Sequence, residues 1–293
     1  MRNTRTIGPT SCTRRRTVST GSWSSAGSRC WLGSATQGNA VRARCPRAGG
    51  FTLTELAVVF AIVALLLYGV LGTLAAQTEV RNHEETRRRL DAALEALIGY
   101  AIAQRRLPCP ALAAGTGDES PAGGGACSSY YGGFLPAKTI GFAPTDAAGY
   151  AVDAWGNRIR YAVSNALTGC AAPAALPHFT SAANLRANGV SCRPNDLDLC
   201  VRAQGATASS CASSANRAVS TETAAVIVFS TGKNGAIVAA HGPDELANLD
   251  ANPVFVTRPP SGPEASGGTF DDLVVWVPVG ILYARLIAAG VLP

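Results

Sequence analysis

The fold is decided by residues 47–77, which read RAGGFTLTELAVVFAIVALLLYGVLGTLAAQ. From residue 51 onward this stretch is apolar apart from Glu55 and a few small polar residues. About twenty such residues are enough to span a bilayer as an α-helix, whereas the apolar core of a cleaved secretory signal has roughly 7–15 residues. The pattern therefore predicts a membrane-spanning helix over residues 51–77.

The charge of the chain is divided at the start of this apolar run. Residues 1–50 contain nine arginines and no acidic residue. Removing these nine from the 25 basic residues of the whole chain leaves 16 against 19 acidic residues, a formal charge of −3 for residues 51–293. The basic balance belongs to the N-terminal segment, which argues against a nucleic-acid-binding domain after it. Arg42, Arg44 and Arg47 precede the run, so the positive-inside rule keeps that end cytoplasmic and sends the rest across the membrane.

Residues 1–50 are predicted to be a leader segment. Within it, residues 1–40 are rich in Ser, Thr, Arg and Gly without periodicity, which is typical of disordered chain. Alternatively they are not translated, because bacterial genes can start on valine codons. A start at Val41 would leave a ten-residue leader, VRARCPRAGG. The sequence leaves both interpretations open.

The helix is predicted to continue beyond the apolar run, over residues 78–107. Good helix formers dominate after Glu79, and Pro108 is the first proline after the run. Five apolar residues share the spacing of one helical face: Leu90, Leu94, Leu97, Ile98 and Ala101. One helix from Phe51 to about Arg105 would be roughly 80 Å long at 1.5 Å per residue. Its first half would lie in lipid and its second half would pack on a soluble domain.

Residues 108–293 are predicted to form a globular domain of α+β class, in which the long helix packs on a small antiparallel sheet. The strand candidates are short apolar segments bounded by turn residues: they are residues 158–164, 225–229, 237–240 and 271–279. In the first of these, Ile159, Tyr161 and Val163 share one face. Residues 280–290 are expected to form a short amphipathic helix.

Six cysteines follow the apolar run, and an even number in an exported domain indicates disulfides. They are Cys109, Cys127, Cys170, Cys192, Cys200 and Cys211. Six cysteines allow fifteen pairings, and the sequence alone does not choose among them. Pairing in chain order is favoured because each bridge would close a short Gly/Ala/Ser-rich loop, which makes residues 165–221 a set of disulfide-pinned loops. A zinc site is the competing interpretation, but the chain has no CxxC pair and its histidines do not lie at metal-ligand spacings. His178 and His241 are expected to be solvated.

Glu55 is the one acidic residue within the apolar run. A charged side chain inside a membrane helix costs about 2.5–3.5 kcal/mol on insertion scales and is usually paired or functional. The competing interpretation places Glu55 at the interface, where its carboxylate reaches the lipid headgroups. The physics of insertion alone leaves both interpretations open.

The segment GG-FTLTEL, with basic residues before it and an apolar run after it, resembles the class III leader of type IV pilins and type II secretion pseudopilins. The resemblance covers roughly residues 47–77. It implies cleavage between Gly50 and Phe51 by a prepilin peptidase, followed by N-methylation of Phe51. It also implies that Glu55 pairs with the Phe51 amine of a neighbouring subunit. The expected fold is pilin-like, and the expected partners are other pilin or pseudopilin subunits and an inner-membrane assembly platform.

On this resemblance the chain is expected to be a single-pass inner-membrane protein with a periplasmic C-terminal domain, later part of a pilus or pseudopilus filament. Its function would be structural and not enzymatic. The large mature chain and its cysteine-rich loops favour a minor subunit. A membrane-anchored binding module, an anchored enzyme and an adhesin-like tip protein are the alternatives.

A weaker resemblance lies in DAWGNRIRY, residues 153–161, which is similar to an Asp-x-Trp-Gly-Asn-x-x-x-Tyr stretch of major type II secretion pseudopilins. Its expected role is structural: a tight turn, an aromatic ring packed on the helix, and an edge strand. This stretch slightly favours a type II secretion pseudopilin over a type IV pilin.

Major pseudopilins also carry a calcium site in a late loop, and this chain offers the oxygen ligands that Ca²⁺ prefers. They are Asp244, Glu245, Asn248, Asp250, Asn252, Asp271 and Asp272. The calcium candidates among them are Asp244, Asp250, Asp271 and Asp272. Their spacing is not that of an EF-hand, and no other cofactor or metal is expected.

The stretch STGKNG, residues 230–235, is not a phosphate-binding loop. Ile227 and Asn234 stand where the Walker pattern requires Gly and Ser or Thr. It is predicted to be a hairpin turn.

Overall fold

The computed structural model describes residues 52–170 and 176–292, and of residues 69–75 and 238 it describes the backbone alone. The leader, Gly50 and Phe51 lie outside these residues. The chain divides into two compact units, residues 1–56 and 57–293. The helices are α1 (Leu53–Gln104), α2 (Ala137–Ile140), α3 (Ala182–Asn188), α4 (Pro243–Ala247) and α5 (Val279–Ala288). The strands are β1 (Gly133–Phe134), β2 (Arg160–Val163), β3 (Leu167–Thr168), β4 (Arg193–Pro194), β5 (Asp198–Cys200), β6 (Ala224–Ser230), β7 (Val254–Val256) and β8 (Leu273–Pro278).

The main sheet has four antiparallel strands in the order β1-β2-β6-β8. Val228 of β6 lies opposite Tyr161 on one side and Val275 on the other. Two smaller sheets pair β3 with β4 antiparallel and β5 with β7 parallel. The predicted α+β class with a small antiparallel sheet is confirmed.

Two strand predictions are wrong in detail. Residues 237–240 do not return beside β6, because β2 and β8 already occupy both of its edges; residues 238–240 form a 3₁₀ turn instead. The STGKNG segment is therefore a turn at the end of β6 and not a hairpin. β2, predicted to be an edge strand, lies inside the sheet between β1 and β6.

The second half of α1 buries the predicted face. Leu90, Leu97 and Ala101 are fully buried, and Leu94 packs partly buried against the same core. One face of the sheet and α5 contribute many of the other members of this cluster, among them Tyr161, Val163, Val226, Val228, Leu282 and Leu286. Helical spacing in α1 and alternation in β2 thus supply the two sides of one apolar core.

The opposite face of the sheet is covered as well. Ile227 and Phe229 of β6 pack with Leu199 of β5 and Phe255 of β7, and the Phe229 and Phe255 rings meet edge to face at 5.6 Å. All seven residues of β6 are buried. Burial on both faces explains why this strand is a continuous apolar run and not an alternating one.

The first half of α1 presents its large apolar side chains to solvent. Eleven such residues lie between Leu53 and Tyr68, and each is 44–87% exposed. Contiguous apolar surface of this kind marks a site of contact with a membrane or another protein. Searched over the described residues, no helix combines the length and the apolar content that crossing a membrane requires.

The three cysteine pairs are local. Cys109–Cys127, Cys170–Cys192 and Cys200–Cys211 lie at disulfide distance, with Cα–Cα separations of 5.4, 4.4 and 5.4 Å. The pairing in chain order is therefore confirmed. The bridges close loops with sequence separations of 18, 22 and 11 residues, and such closures stabilise a fold chiefly by restricting the unfolded chain.

His178 was expected to be solvated, and this is wrong. Its ring is buried, with 1% of the residue exposed, because α5 packs over it. The Tyr283 hydroxyl donates to the carbonyl of Cys192 at 2.6 Å and lies 2.8 Å from His178 Nε2. Asn188 Nδ2 lies 3.0 Å from Nδ1. This network assigns the ring proton to Nε2 and leaves Nδ1 as an acceptor.

Acidification is expected to weaken the fold through His178. Burial lowers the pKa of this ring from 6.5 to about 4, so the unfolded chain takes up the proton first as the pH falls. The contribution of His178 to the free energy of unfolding should be retained above pH 6.5 and should fall by about 2–3 kcal/mol between there and pH 4. Asp271 and Asp272, whose pKa values are raised, act with the opposite sign over this range, so the contribution is read from the difference between the wild-type chain and His178→Gln. Chemical unfolding of the full chain at a series of pH values measures this loss. On acidification the wild-type chain should lose stability relative to His178→Gln by this amount, and a difference between the two chains that does not change with pH would exclude His178 as the cause.

Candidate functional site

The first turn of α1 holds Glu55 in a capping box. The Glu55 amide donates to Thr52 Oγ1 at 3.2 Å, and Glu55 Oε2 accepts from the Thr52 amide at 3.0 Å. The Thr52 hydroxyl also bonds to Oε2 at 3.0 Å. Such reciprocal bonds satisfy N–H groups at a helix start that have no partner within the helix. The Thr-x-x-Glu pattern of residues 52–55 carries this signal in the sequence, and sequence reasoning directed at the membrane missed it.

The capping box leaves part of the carboxylate available. The bonds from Thr52 reach Oε2, and none of them uses Oε1 of Glu55. A carboxylate has about four acceptor positions on its two oxygens, so Glu55 can cap its own helix and still accept from a second donor. The two residues of the predicted cleavage site, Gly50 and Phe51, lie outside the described residues.

The Asp153–Asn157 segment forms a tight turn that is organised by Asp153. Its Oδ1 accepts from the amides of Trp155 and Asn157 at 2.9 and 2.8 Å, and its Oδ2 accepts from Ser230 Oγ at 2.5 Å. Gly156 has φ +88°, a left-handed conformation that glycine adopts without strain. Asn157 Nδ2 reaches across to the carbonyl of Gly232 at 2.6 Å. The turn is thus tied to the end of β6.

The same turn is attached to α1. The Ala154 amide donates to Thr86 Oγ1 at 3.0 Å, and Arg89 Nη1 donates to the Asp153 carbonyl at 2.8 Å. The Trp155 ring meets His83 edge-on, with centroids 4.9 Å apart. These contacts match the structural role expected for this stretch, a tight turn with an aromatic ring packed on the helix.

A cluster of carboxylates lies at the other side of the turn after β6. Ligand oxygens of Glu245, Asp271 and Asp272 lie within 4.8 Å of one another. Of the four calcium candidates, Asp271 and Asp272 therefore come together. Asp244 does not join them, since its carboxylate pairs with Arg258 at 2.7 Å. Asp250 is also apart; it is exposed and bonds to the Asn252 amide.

Hydrogen bonds hold the carboxylate cluster in place. Glu245 Oε1 accepts from the Asp271 amide at 2.7 Å, and Oε2 accepts from Asn234 Nδ2 at 2.9 Å. Asp272 Oδ2 accepts from Asn248 Nδ2 at 2.7 Å. Two oxygens are buried without a hydrogen-bond partner among the described residues, Asp271 Oδ1 and Asn234 Oδ1. Buried polar atoms without partners are rare, so each calls for an explanation.

The pKa values of the clustered carboxylates also favour a bound cation. Burial, together with the nearby Glu245 carboxylate, raises the pKa of Asp271 to about 6 and that of Asp272 to about 8. Carboxylates crowded in a poorly solvated place resist ionisation unless a cation joins them. Carboxylate and amide oxygens are ligands of Ca²⁺, and two oxygens on opposite sides of a calcium ion are about 4.8 Å apart at the usual bond lengths of about 2.4 Å. The residues present fit a calcium ion.

Asn234, which donates hydrogen bonds to Asp271 and Glu245, was missing from the sequence-based set of candidates. It belongs to the STGKNG turn, which is about forty residues before Asp271, and no local pattern links the two. The turn approaches so closely that a Cβ at Gly232 would collide with Asp271. Glycine at this position, with φ +62°, is the one sequence signal of the approach.

No protein-family profile matches the chain, and no curated protein or solved structure matches it significantly. The function is therefore inferred from the leader-like motif, the exposed half of α1 and the carboxylate cluster.

Proposed function

We propose that this chain is a minor pilin or pseudopilin, a structural subunit of a type IV pilus or type II secretion filament. Prepilin peptidase would cleave it between Gly50 and Phe51 at the inner membrane, with the C-terminal domain in the periplasm. The subunit would then join other pilin or pseudopilin subunits at an assembly platform. The observation that carries the proposal is the exposed apolar surface of Leu53–Tyr68, which begins within the GG-FTLTEL motif.

This apolar surface requires burial against a membrane or another protein. Eleven large apolar side chains in one helix are too many to leave in water at about 25 cal/mol per Å². The sequence continues the apolar run to residue 77, and a membrane can cover it before assembly and neighbouring helices after it. The part of α1 from Leu90 onward packs on its own sheet instead. A pilin-like helix is expected to have these two parts, one that contacts the membrane or neighbouring helices and one that packs on its own domain.

Glu55 is proposed to set the register between subunits. Its carboxylate is negatively charged in an apolar surface, and a buried unpaired charge is heavily penalised. The N-terminal amine of a processed Phe51 in a neighbouring subunit would neutralise it. The capping box fixes the carboxylate on its helix, so that Oε1 is available for this partner.

Mass spectrometry of the mature N-terminus tests the processing. The chain isolated from cells with a prepilin peptidase should begin at Phe51 and carry one additional methyl group. In cells that lack the peptidase it should keep its leader. A mature chain that begins elsewhere, or that retains residues before Phe51 in peptidase-positive cells, would refute the proposal.

Variants at two positions separate the charge of Glu55 from its capping role. Glu55→Gln keeps a capping box but removes the charge, and Thr52→Val removes the cap but keeps the charge. If the charge sets the register, Glu55→Gln should reduce co-assembly with filament subunits about as strongly as Glu55→Ala, at unchanged leader cleavage. Thr52→Val should assemble much better than either. Normal assembly of Glu55→Gln would show that only the cap matters.

We further propose that the carboxylate cluster binds calcium. Glu245, Asp271 and Asp272 would hold the ion, with Asn234 Oδ1 as a further oxygen. A bound divalent cation neutralises adjacent carboxylates and supplies a partner for the two buried oxygens. It would fasten the STGKNG turn to the segment before β8, and its role is structural.

Thermal unfolding of the full chain in calcium and in a chelator tests this site. Calcium at about 100 times its Kd should add about 2.7 kcal/mol of stability, and magnesium, which keeps its own waters, should add less. Asp271→Asn should lose most of the calcium effect and should be at least as stable as wild type in chelator, because a like charge has been removed. Asp250→Asn is the matched control and should respond like wild type. Equal stability of the wild-type chain in calcium and chelator would refute the site.

A further inference from the structure

A polar cavity lies beside the STGKNG turn, with Thr231 and Gly235 of the turn in its lining. It has a volume of about 330 Å³, and the side chains that matter for its chemistry are Arg160, Asn157, Thr231 and His241. None of the described residues that line it is acidic. At about 30 Å³ per water molecule, it has room for a small polar group together with several waters.

Arg160, the first residue of β2, has no ion-pair partner among the described residues. Its guanidinium lies over the Phe134 ring, 4.9 Å from the centroid, and it makes no hydrogen bond or ion pair with any described residue. Its neighbour Arg158 is different: Arg158 Nε is 2.7 Å from Asp146 Oδ2. Arg158 thus lies two residues before Arg160, and of these two arginines only Arg158 has an ion-pair partner among the described residues.

The lack of an ion pair is unfavourable for Arg160 because its guanidinium is partly removed from water. Burial lowers the pKa of its guanidinium, which reflects the loss of solvent around the charge. Asp272 acts on Arg160 electrostatically without forming an ion pair, and its Oδ2 is already bonded to Asn248. The contact with Phe134 offsets part of the cost, since a cation over an aromatic ring gains about 0.5–2 kcal/mol. A partly desolvated guanidinium normally has a carboxylate or phosphate partner as well.

His241 contributes a second signal at the same cavity. Its Nδ1 is buried and has no hydrogen-bond partner among the described residues. The histidine was predicted to be solvated, and the residue is partly exposed. His241 and Arg160 thus both line the cavity, with Nδ1 itself enclosed by protein.

We propose that this cavity binds a carboxylate group, with Arg160 as its main ligand and His241 beside it. The planar guanidinium matches a carboxylate in a two-pronged contact. One unpaired positive charge balances the single negative charge of a carboxylate, whereas a phosphate monoester carries about −1.5 to −2 at pH 7. The inference does not depend on the proposed filament role, because it rests on the globular domain alone.

The carboxylate has two sources, a free small acid or an acidic side chain of another protein chain. Both present the same group to Arg160. They differ in that a side chain brings a peptide backbone to the rim of the cavity, which adds contacts that a free acid lacks.

Thermal unfolding of the full chain with acetate tests the binding, and acetamide is the neutral control of the same shape. At matched ionic strength acetate should raise the unfolding midpoint of the wild-type chain and acetamide should not. The peptides acetyl-Gly-Glu-Gly-amide and acetyl-Gly-Gln-Gly-amide provide the second pair. A glutamate peptide that binds about tenfold more tightly than acetate identifies a protein side chain as the source, and equal affinity identifies a free acid.

Arg160→Gln is the decisive variant. It should weaken acetate binding about tenfold or more, and in anion-poor buffer its midpoint should be equal to or above that of wild type, because a charge without a partner has been removed. Arg160→Lys, which keeps the charge but not the fork, should be intermediate. Arg193→Gln removes an arginine that is ion-paired with Glu222 and should respond to acetate like wild type. Equal effects of acetate and acetamide on the wild-type chain, or an undiminished acetate effect in Arg160→Gln, would overturn the proposal.

Discussion

The burial of β6 on both faces is the constraint on which the rest of the domain depends. A strand of seven buried residues needs apolar partners above and below and hydrogen-bond partners along both edges. The second half of α1 together with α5 meets the first need on one face, and β5 with β7 meets it on the other. The edges are filled by β2 and β8. The positions of the surrounding helices and strands therefore follow from the burial and pairing of β6.

The end of β6 also organises the polar chemistry. Ser230 binds Asp153 and so fixes the Trp155 turn against α1. The residues after Ser230 lie between an acidic and a basic environment. Asn234 donates hydrogen bonds to the carboxylates of Glu245 and Asp271, and Thr231 lines the cavity that contains Arg160. A cation in the cluster would add positive charge near Arg160, so a carboxylate in the cavity would be favoured further. The two proposed sites are thus expected to bind their ligands with positive coupling.

What could be predicted from the sequence was local or periodic. The spacing of Leu90, Leu97 and Ala101, the apolar run of β6 and the pairing of cysteines in chain order each depend on neighbours in sequence. The predictions that failed concern contacts between residues far apart in the sequence. Residues 237–240 were expected to return beside β6 because they are near in sequence, whereas β8, more than forty residues on, holds that edge. His178 looks solvated until α5 covers it, and the convergence of Asn234, Glu245 and Asp271 is likewise a product of tertiary packing.

The two halves of α1 differ in whether the chain itself covers their apolar side chains. The apolar side chains of α1 from Leu90 onward are buried in the core of the domain, whereas those of Leu53–Tyr68 are exposed. A helix of this length cannot pack both parts on one small sheet. Glu55 adds a second requirement, because the capping box satisfies hydrogen bonds at the helix start without neutralising the charge. A lipid bilayer would cover the apolar side chains and penalise the carboxylate. A bundle of identical or related helices would cover them and could also bring an amine to Glu55, which is why a filament meets both requirements where a simple anchor meets only one.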